Sequence, residues 1–182
     1  MVYKNIPNIL SAVRILLSPV IFFLIIQNTP SFLFFALLIF ILGGITDALD
    51  GYIARKFNLI SSLGKFLDPL SDKLFVLSAF VSLYVINDSI HLWMIGIIVF
   101  RDVFVTIIRV YSYNNDIVFK TSYLAKAKTF FQMFSVVLII IISLINVSFN
   151  VDMIFYVSMA CAILTFLSGL DYLNAFLKVK NG

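Results

Sequence analysis

Residues 47–72 read DALDGYIARKFNLISSLGKFLDPLSD, and this stretch places four aspartates where two apolar runs meet. Asp47 and Asp50 are three positions apart at the end of the first run, so on a helix they share one face. Asp68 and Asp72 are four positions apart at the start of the second run and share a face likewise. The connection between the runs is short. The sequence therefore predicts an antiparallel helical hairpin whose adjoining ends bring four carboxylates together.

The chain on either side of this hairpin is too apolar for a water-soluble domain. Of its 182 residues, 62% are hydrophobic and only 12% are charged, far fewer than a soluble surface needs. A membrane-spanning helix needs about 20 mostly apolar residues. The sequence therefore predicts an all-α integral membrane protein, a single domain over residues 1–182 with six transmembrane helices. The predicted spans are Leu10–Ile26, Phe32–Ile53, Pro69–Ile86, His91–Tyr113, Ser122–Ile145 and Val151–Leu177.

Basic residues predict how the spans are oriented, because Lys and Arg favour cytoplasmic connections. The connections at 27–31, 87–90 and 146–150 contain no Lys or Arg. Both termini and the aspartates are therefore expected on the cytoplasmic side of a bacterial cell membrane. Contact with anionic lipids explains the net charge of +4, so nucleic acid is not needed as a partner. The basic residues of the cytoplasmic segments are Lys4, Arg14, Arg55, Lys56, Lys65, Lys120, Lys126, Lys128, Lys178 and Lys180.

The four aspartates require positive charge among them. Ionised side chains cost about 2.5–3.5 kcal/mol each near the centre of a membrane helix, and neighbouring carboxylates also repel one another. Stretch 47–72 contains no His or Cys, and a set of oxygen ligands suits Mg²⁺ or Mn²⁺. Two such ions about 3.5–4 Å apart can share a carboxylate cluster. The sequence therefore predicts a metal site, with two ions as the expected number.

Small residues and one arginine accompany the aspartates. Gly51, Ala54 and Gly64 leave room for a ligand or a backbone to approach closely, and Arg55 offers a guanidinium fork to a phosphate. Individual aspartates have structural alternatives: Asp68 precedes a proline and could cap a helix, and Asp50 could pair with Arg55. Neither alternative accounts for all four aspartates together with the glycines.

The pattern D-x2-D-G-x2-A-R-x8-G-x3-D-x3-D over 47–72 matches all eight fixed positions of the CDP-alcohol phosphatidyltransferase signature. The chain resembles this family over essentially its whole length. The resemblance implies the family's six-helix CDP-alcohol phosphotransferase fold, commonly in a homodimer. It also implies an enzyme that binds CDP-diacylglycerol among membrane lipids, displaces CMP and joins the phosphatidyl group to an alcohol.

The resemblance also implies roles for single residues. Asp72 would be the general base. The metal ligands would be Asp47, Asp50, Asp68 and Asp72, and the CDP site would comprise Asp47, Asp50, Gly51, Ala54, Arg55, Gly64 and Asp68.

Basic residues outside the signature predict that the acceptor alcohol carries a phosphate. Arg109 and Lys126 have no acidic partner evident in the sequence, so we interpret them as anion ligands. Arg101 is followed by Asp102 in the middle of the fourth span, and an internal ion pair is the structural alternative there. The candidate residues for the acceptor phosphate are Arg101, Arg109, Lys126 and Lys128.

The resemblance extends to the choice of acceptor. Four segments resemble members of the family whose acceptor is sn-glycerol 3-phosphate: residues 5–8 with Arg14, residues 64–73, residues 101–102 with Arg109, and residues 126–129 with Gln132. Asp102 and Ala125 instead resemble members whose acceptor is phosphatidylglycerol. The pair Lys126 and Lys128 favours glycerol 3-phosphate.

Two other classes of protein are possible from the aspartates alone. A divalent metal transporter would need carboxylates on several spans along a path, whereas the first, fifth and sixth spans have none deep in their cores. A structural membrane protein would leave the signature unexplained.

Overall fold

The structure is a computed structural model that describes the backbone of residues 6–56, 64–114, 123–145 and 150–180. Side chains are described for residues 9–47, 70–112, 123–125, 127–145 and 152–179.

All regular secondary structure in the described residues is helical, which confirms the predicted all-α class. Each predicted span overlaps one helix. The third helix begins at Gly64 instead of Pro69, so Asp68 lies inside the helix and does not cap it. The helices are α1 Ile6–Ile26, α2 Pro30–Lys56, α3 Gly64–Ile86, α4 Leu92–Asn114, α5 Tyr123–Ile145 and α6 Asn150–Lys180.

Four of the described helices are long and apolar enough to cross a membrane, as expected of an integral membrane protein. The other two, α3 and α4, each have 23 residues and include the charged side chains of the candidate sites. That all six helices cross the membrane stays a prediction. The four qualifying stretches are Ile9–Ile26, Pro30–Asp47, Tyr123–Ile145 and Asp152–Val179.

The turn between α1 and α2 follows from its sequence. Asn28 has a φ of 46°, a left-handed conformation that asparagine tolerates better than most residues and that commonly ends a helix. Pro30 then begins α2, where its fixed φ suits the first turn and its missing N–H is not needed. The predicted connection at 27–31 is thereby confirmed, with α2 beginning at Pro30.

The helices divide into two compact units. The first contains α1, α2, α3 and the part of α5 from Val136 onward. The second contains α4, the part of α5 up to Ser135, and α6.

In the first unit, α1 packs against both α2 and α3. The buried residues of α1 and α2 are spaced alternately by three and four positions, the spacing of a packed helix seam. Arg14 lies within the buried stripe of α1, and Asp47 comes four positions after the last buried residue of the α2 stripe. Helix packing therefore directs both charged side chains towards the interior of the unit. The stripes are Ser11, Arg14, Ser18, Ile21 and Ile25 in α1, and Leu33, Ala36, Phe40 and Gly43 in α2.

Gly43 of α2 makes room for the side chain of Phe75 in α3. A Cβ atom built at Gly43 would lie 2.5 Å from Cζ of Phe75, which is fully buried. Phe75 is itself stacked on Phe40, with ring centroids 5.2 Å apart and an interplanar angle of 7°. Stacking on Phe40 and complete burial therefore restrict how far the ring can move to accept an added methyl group. This contact lies one helical turn from Asp47 in α2 and from Asp72 in α3, so it helps to set the separation of those carboxylates.

Gly43→Ala is expected to lower the free energy of unfolding by about 1–3 kcal/mol, because the added methyl group overpacks a buried contact. Thermal unfolding of the purified protein in detergent measures the effect. Gly96→Ala is the matched control, since a Cβ atom at Gly96 would meet no atom within 4 Å. Equal stability of the two variants would show that the Gly43 contact does not constrain the helices.

In the second unit, α4 packs against α6. Val105 and Ile108 of α4 form a buried cluster with Tyr172 and Phe176 of α6. Nearer the middle of α4, the side chain of Arg101 crosses α6 at Gly169, where a built Cβ atom would lie 3.1 Å from Cγ of Arg101. The absence of a side chain at Gly169 thus makes room for the arginine in the interior of the unit.

Candidate active site

One arginine joins three helices of the first unit. The Nη1 atom of Arg14 in α1 lies 2.6 Å from Oδ1 of Asp47 in α2, and it also contacts Oδ1 of Asp72 in α3. The same atom donates a hydrogen bond of 3.3 Å to the hydroxyl of Ser71. The Arg14 side chain is 3% exposed, whereas those of Asp47 and Asp72 are 28% and 33% exposed. The two carboxylates therefore converge on one buried cation and remain partly open.

The convergence of Asp47 and Asp72 agrees with the predicted hairpin. The positive charge that their repulsion requires is supplied here by Arg14, which the sequence prediction did not include among the site residues. A buried guanidinium without a partner is destabilising, and so are two neighbouring carboxylates without a compensating charge. Here the positive charge of Arg14 compensates the two carboxylates, and they compensate it. A signal was present in the sequence. Arg14 lies in an apolar helix on the same face as Ser11 and Ser18, and a cation in that setting usually faces the interior of a bundle.

The other predicted residues of this site are located only by their backbone. Helix α2 extends through Asp50, Gly51, Ala54 and Arg55, but their side chains are outside the described residues. Helix α3 includes Gly64 and Asp68, and the side chain of Asp68 is likewise outside the described residues. Helix geometry leads us to expect Asp50 on the face of Asp47, and Asp68 on the face of Asp72. The composition of the CDP site stays a prediction.

The described carboxylates fit a hard divalent cation. Asp47 and Asp72 present oxygen atoms to a common point, and oxygen ligands are the ones that Mg²⁺ and Mn²⁺ prefer. Among the side chains that the structure describes, no three His, Cys, Asp or Glu residues come together. A four-carboxylate site for two ions would also require Asp50 and Asp68, so it stays a prediction.

A second charged cluster lies in the second unit. Oδ1 of Asp102 accepts hydrogen bonds from Nη1 of Arg101 at 3.0 Å and from Nζ of Lys128 at 2.5 Å. The side chains of Arg101 and Lys128 are only 10% and 4% exposed. The internal ion pair that the sequence left open is therefore present, and Lys128 joins it. Among the described side chains, this cluster contains two basic groups and one carboxylate, so its formal charge is positive.

The four residues predicted to bind the acceptor phosphate are not all in this cluster. Arg101 and Lys128 meet at Asp102, whereas Arg109 is exposed on α4. The side chain of Lys126 is outside the described residues. Nε of Arg101 is buried with no hydrogen-bond partner in the described part of the chain. The cluster thus retains an unused donor next to an excess of positive charge, an arrangement that suits an anion.

The fold and the converging carboxylates define a helical integral membrane protein with an acidic centre bridged by an arginine. The sequence model described as CDP-alcohol phosphatidyltransferase matches residues 4–168. The chain belongs to the CDP-alcohol phosphatidyltransferase family, and it is therefore a transferase of phospholipid biosynthesis. The resemblance noted from residues 47–72 is confirmed.

Individual relatives differ in the reaction that their names indicate. The chain is 35% identical over 173 residues to the CDP-diacylglycerol–glycerol-3-phosphate 3-phosphatidyltransferase of Rickettsia bellii, covering 94% of this chain and 95% of that protein. It is 34% identical over 144 residues to the enzyme of the same name from Bacillus subtilis, covering 72% and 74%. It is 37% identical over 144 residues to a cardiolipin synthase (CMP-forming) of Streptomyces coelicolor, covering 75% and 65%.

Proposed function

We propose that this protein transfers the phosphatidyl group of CDP-diacylglycerol to sn-glycerol 3-phosphate, giving phosphatidylglycerophosphate and CMP. The observation that carries this proposal is the 35% identity to the Rickettsia bellii enzyme over nearly the whole of both chains. The convergence of Asp47 and Asp72 supports it, because the reaction needs carboxylates at one place for two different tasks.

The first task is to bind the charged donor. Asp47, Asp50, Asp68 and Asp72 would hold Mg²⁺ or Mn²⁺, two ions in the complete site, and the bound ions would neutralise the pyrophosphate of CDP-diacylglycerol. The nucleotide would lie against Gly51, Ala54 and Gly64, and Arg55 would reach a phosphate through its guanidinium fork. Asp47, Asp50 and Asp68 would complete the surroundings of the CDP group.

The second task is proton transfer. The acceptor hydroxyl attacks the phosphorus that bears the diacylglycerol, the bond from that phosphorus to CMP breaks, and CMP leaves with the bonding electrons. Asp72 would take the hydroxyl proton as general base. Its carboxylate is one third exposed and is oriented by Arg14, so it is both accessible and held in place.

Arg101, Arg109, Lys126 and Lys128 would bind the phosphate of the acceptor. The net positive charge of the Arg101–Asp102–Lys128 cluster supports this assignment for two of them. An acceptor without a phosphate would leave buried positive charge without a function in the reaction.

A cardiolipin synthase, with phosphatidylglycerol as acceptor, is the second candidate. It is favoured by Asp102, by Ala125 and by the identity to the Streptomyces coelicolor protein, but that similarity covers less of both chains. Membership of the family argues against the metal transporter that the aspartates alone left open.

The proposal includes the topology. Six spans would place both termini and the aspartates at the cytoplasmic face of a bacterial cell membrane, and the enzyme would be a homodimer. The alternation of basic and non-basic connections supports this orientation.

Purified protein in detergent micelles with CDP-diacylglycerol and Mg²⁺ is expected to release CMP when glycerol 3-phosphate is added. Glycerol, which lacks the phosphate, is the matched control and is expected to be at least about a hundredfold poorer in kcat/KM. Chelation by EDTA is expected to stop the reaction, and Mn²⁺ to restore it. Release of CMP with phosphatidylglycerol alone would establish the cardiolipin alternative. No release with any alcohol would overturn both proposed reactions.

A further inference from the structure

Arg14 of α1 contacts carboxylates from two other helices. It lies one helical turn before Ser18, whose hydroxyl donates a hydrogen bond of 2.9 Å to the Arg14 carbonyl oxygen. Its guanidinium is almost completely buried, although a charged side chain in an apolar helix could often extend towards the membrane surface. Burial of this charge is compensated by two carboxylates from two other helices.

The geometry of these contacts couples the helices. A single nitrogen of Arg14 contacts Asp47 and Asp72, and the same guanidinium reaches Ser71 beside Asp72. The guanidinium is planar and permanently charged, so it fixes directions as well as supplying charge. Because α1 packs against both α2 and α3, the backbone of Arg14 is fixed by that packing while its side chain contacts the two carboxylates.

We propose that Arg14 is a positioning residue, a resident counter-cation that holds Asp47 and Asp72 together and limits how tightly the same carboxylates bind divalent metal. The kinetic part of this inference rests on the proposed function. The part concerning metal affinity does not, since it follows from the shared carboxylates.

Two opposite effects follow when the charge of Arg14 is removed. The carboxylates become more negative as a group, so a divalent cation binds more tightly. At the same time Asp72 loses the donor that orients it, so proton transfer to it becomes slower. Removing a residue that only stabilised the fold would not make metal bind more tightly.

The experiment compares full-length Arg14→Gln with the unsubstituted protein, both purified in detergent. Electron paramagnetic resonance of Mn²⁺ gives the dissociation constant, and unfolding in EDTA and in Mn²⁺ gives the stabilisation by metal. Arg14→Gln is expected to bind Mn²⁺ about tenfold more tightly. Its Tm should fall in EDTA, and its rise on adding Mn²⁺ should be larger than that of the unsubstituted protein. Its kcat for CMP release should fall at least about tenfold, with KM for CDP-diacylglycerol changed less than about threefold.

Two further variants make the result specific. Ser18→Ala, on the same buried stripe, is the control and should leave the Mn²⁺ dissociation constant and kcat unchanged. Arg14→Lys keeps the charge but loses the fork, so it should retain the Mn²⁺ affinity within about threefold while kcat still falls about fivefold. If Arg14→Gln does not fold, Arg14→Lys decides: a kcat equal to that of the unsubstituted protein would overturn the positioning role.

Other outcomes also overturn the inference. Unchanged or weaker Mn²⁺ binding by Arg14→Gln would exclude a counter-cation role. The same conclusion would follow if the Tm of Arg14→Gln were lower than that of the unsubstituted protein by the same amount with and without Mn²⁺. If the unsubstituted protein releases no CMP with any alcohol, the proposed function fails. The comparison of Mn²⁺ affinities would then still decide the metal part of the inference.

Discussion

Asp72→Asn is expected to lower CMP release by about 10³-fold or more, because an amide cannot take the proton of the acceptor hydroxyl. The substitution keeps the size of the side chain and an oxygen that can accept from Arg14. The contact across α1 and α3 can therefore persist while the proton acceptor is lost. Initial rates of CMP release at saturating CDP-diacylglycerol and glycerol 3-phosphate measure the effect.

Binding measurements separate loss of the base from loss of the site. Asp72→Asn keeps one oxygen that can bind a metal ion but removes a negative charge, so it is expected to weaken Mn²⁺ binding by about tenfold at most. Its binding of CDP-diacylglycerol is expected to stay within about threefold of that of the unsubstituted protein. Asp47→Asn is the matched comparison, since Asp47 contacts the same nitrogen of Arg14 and is almost equally exposed. It is expected to weaken Mn²⁺ binding. If Asp72→Asn loses Mn²⁺ binding altogether, then the main role of Asp72 is to bind metal and another group accepts the proton.

The helices and the convergence of Asp47 with Asp72 were predictable from the sequence for simple reasons. The length of an apolar run determines whether it can cross a membrane, and the spacing of charged residues determines whether they share a helical face. Both are local properties of the chain. The short connection between the two runs keeps their adjoining ends close, and Asp47 and Asp72 converge on one arginine accordingly.

The contacts of Arg14 were not predictable in the same way. In lipid the outward and inward faces of a helix can be equally apolar, so hydrophobic periodicity does not reveal which face packs. Leu16 and Phe23 in α1 are exposed, while Ile21 in the same helix is fully buried. Only the packing of α1 against α2 and α3 decides that Arg14 faces the carboxylates. The ion pair between Asp102 and Lys128 depends likewise on contact between helices, since the residues are 26 positions apart.

Asp102→Asn is expected to lower the free energy of unfolding by about 3–5 kcal/mol, the usual cost of removing one partner from a buried ion pair. The substitution would leave Arg101 and Lys128 buried close together without the carboxylate that both contact. Two like charges would then repel in a region that excludes water. Unfolding in detergent, followed by circular dichroism over a titration with sodium dodecyl sulfate, measures the loss.

A control variant removes an aspartate charge at an exposed position. Asp152→Asn removes an exposed carboxylate in the first turn of α6, where its interaction with the helix dipole is worth only about 0.3–1 kcal/mol. A second variant, Asp102→Asn with Lys128→Met, also removes one of the two cations and should recover part of the lost stability. If Asp102→Asn is no less stable than Asp152→Asn, the carboxylate does not compensate the buried cations. Recovery in the double variant would instead establish that repulsion between Arg101 and Lys128 is what Asp102 relieves.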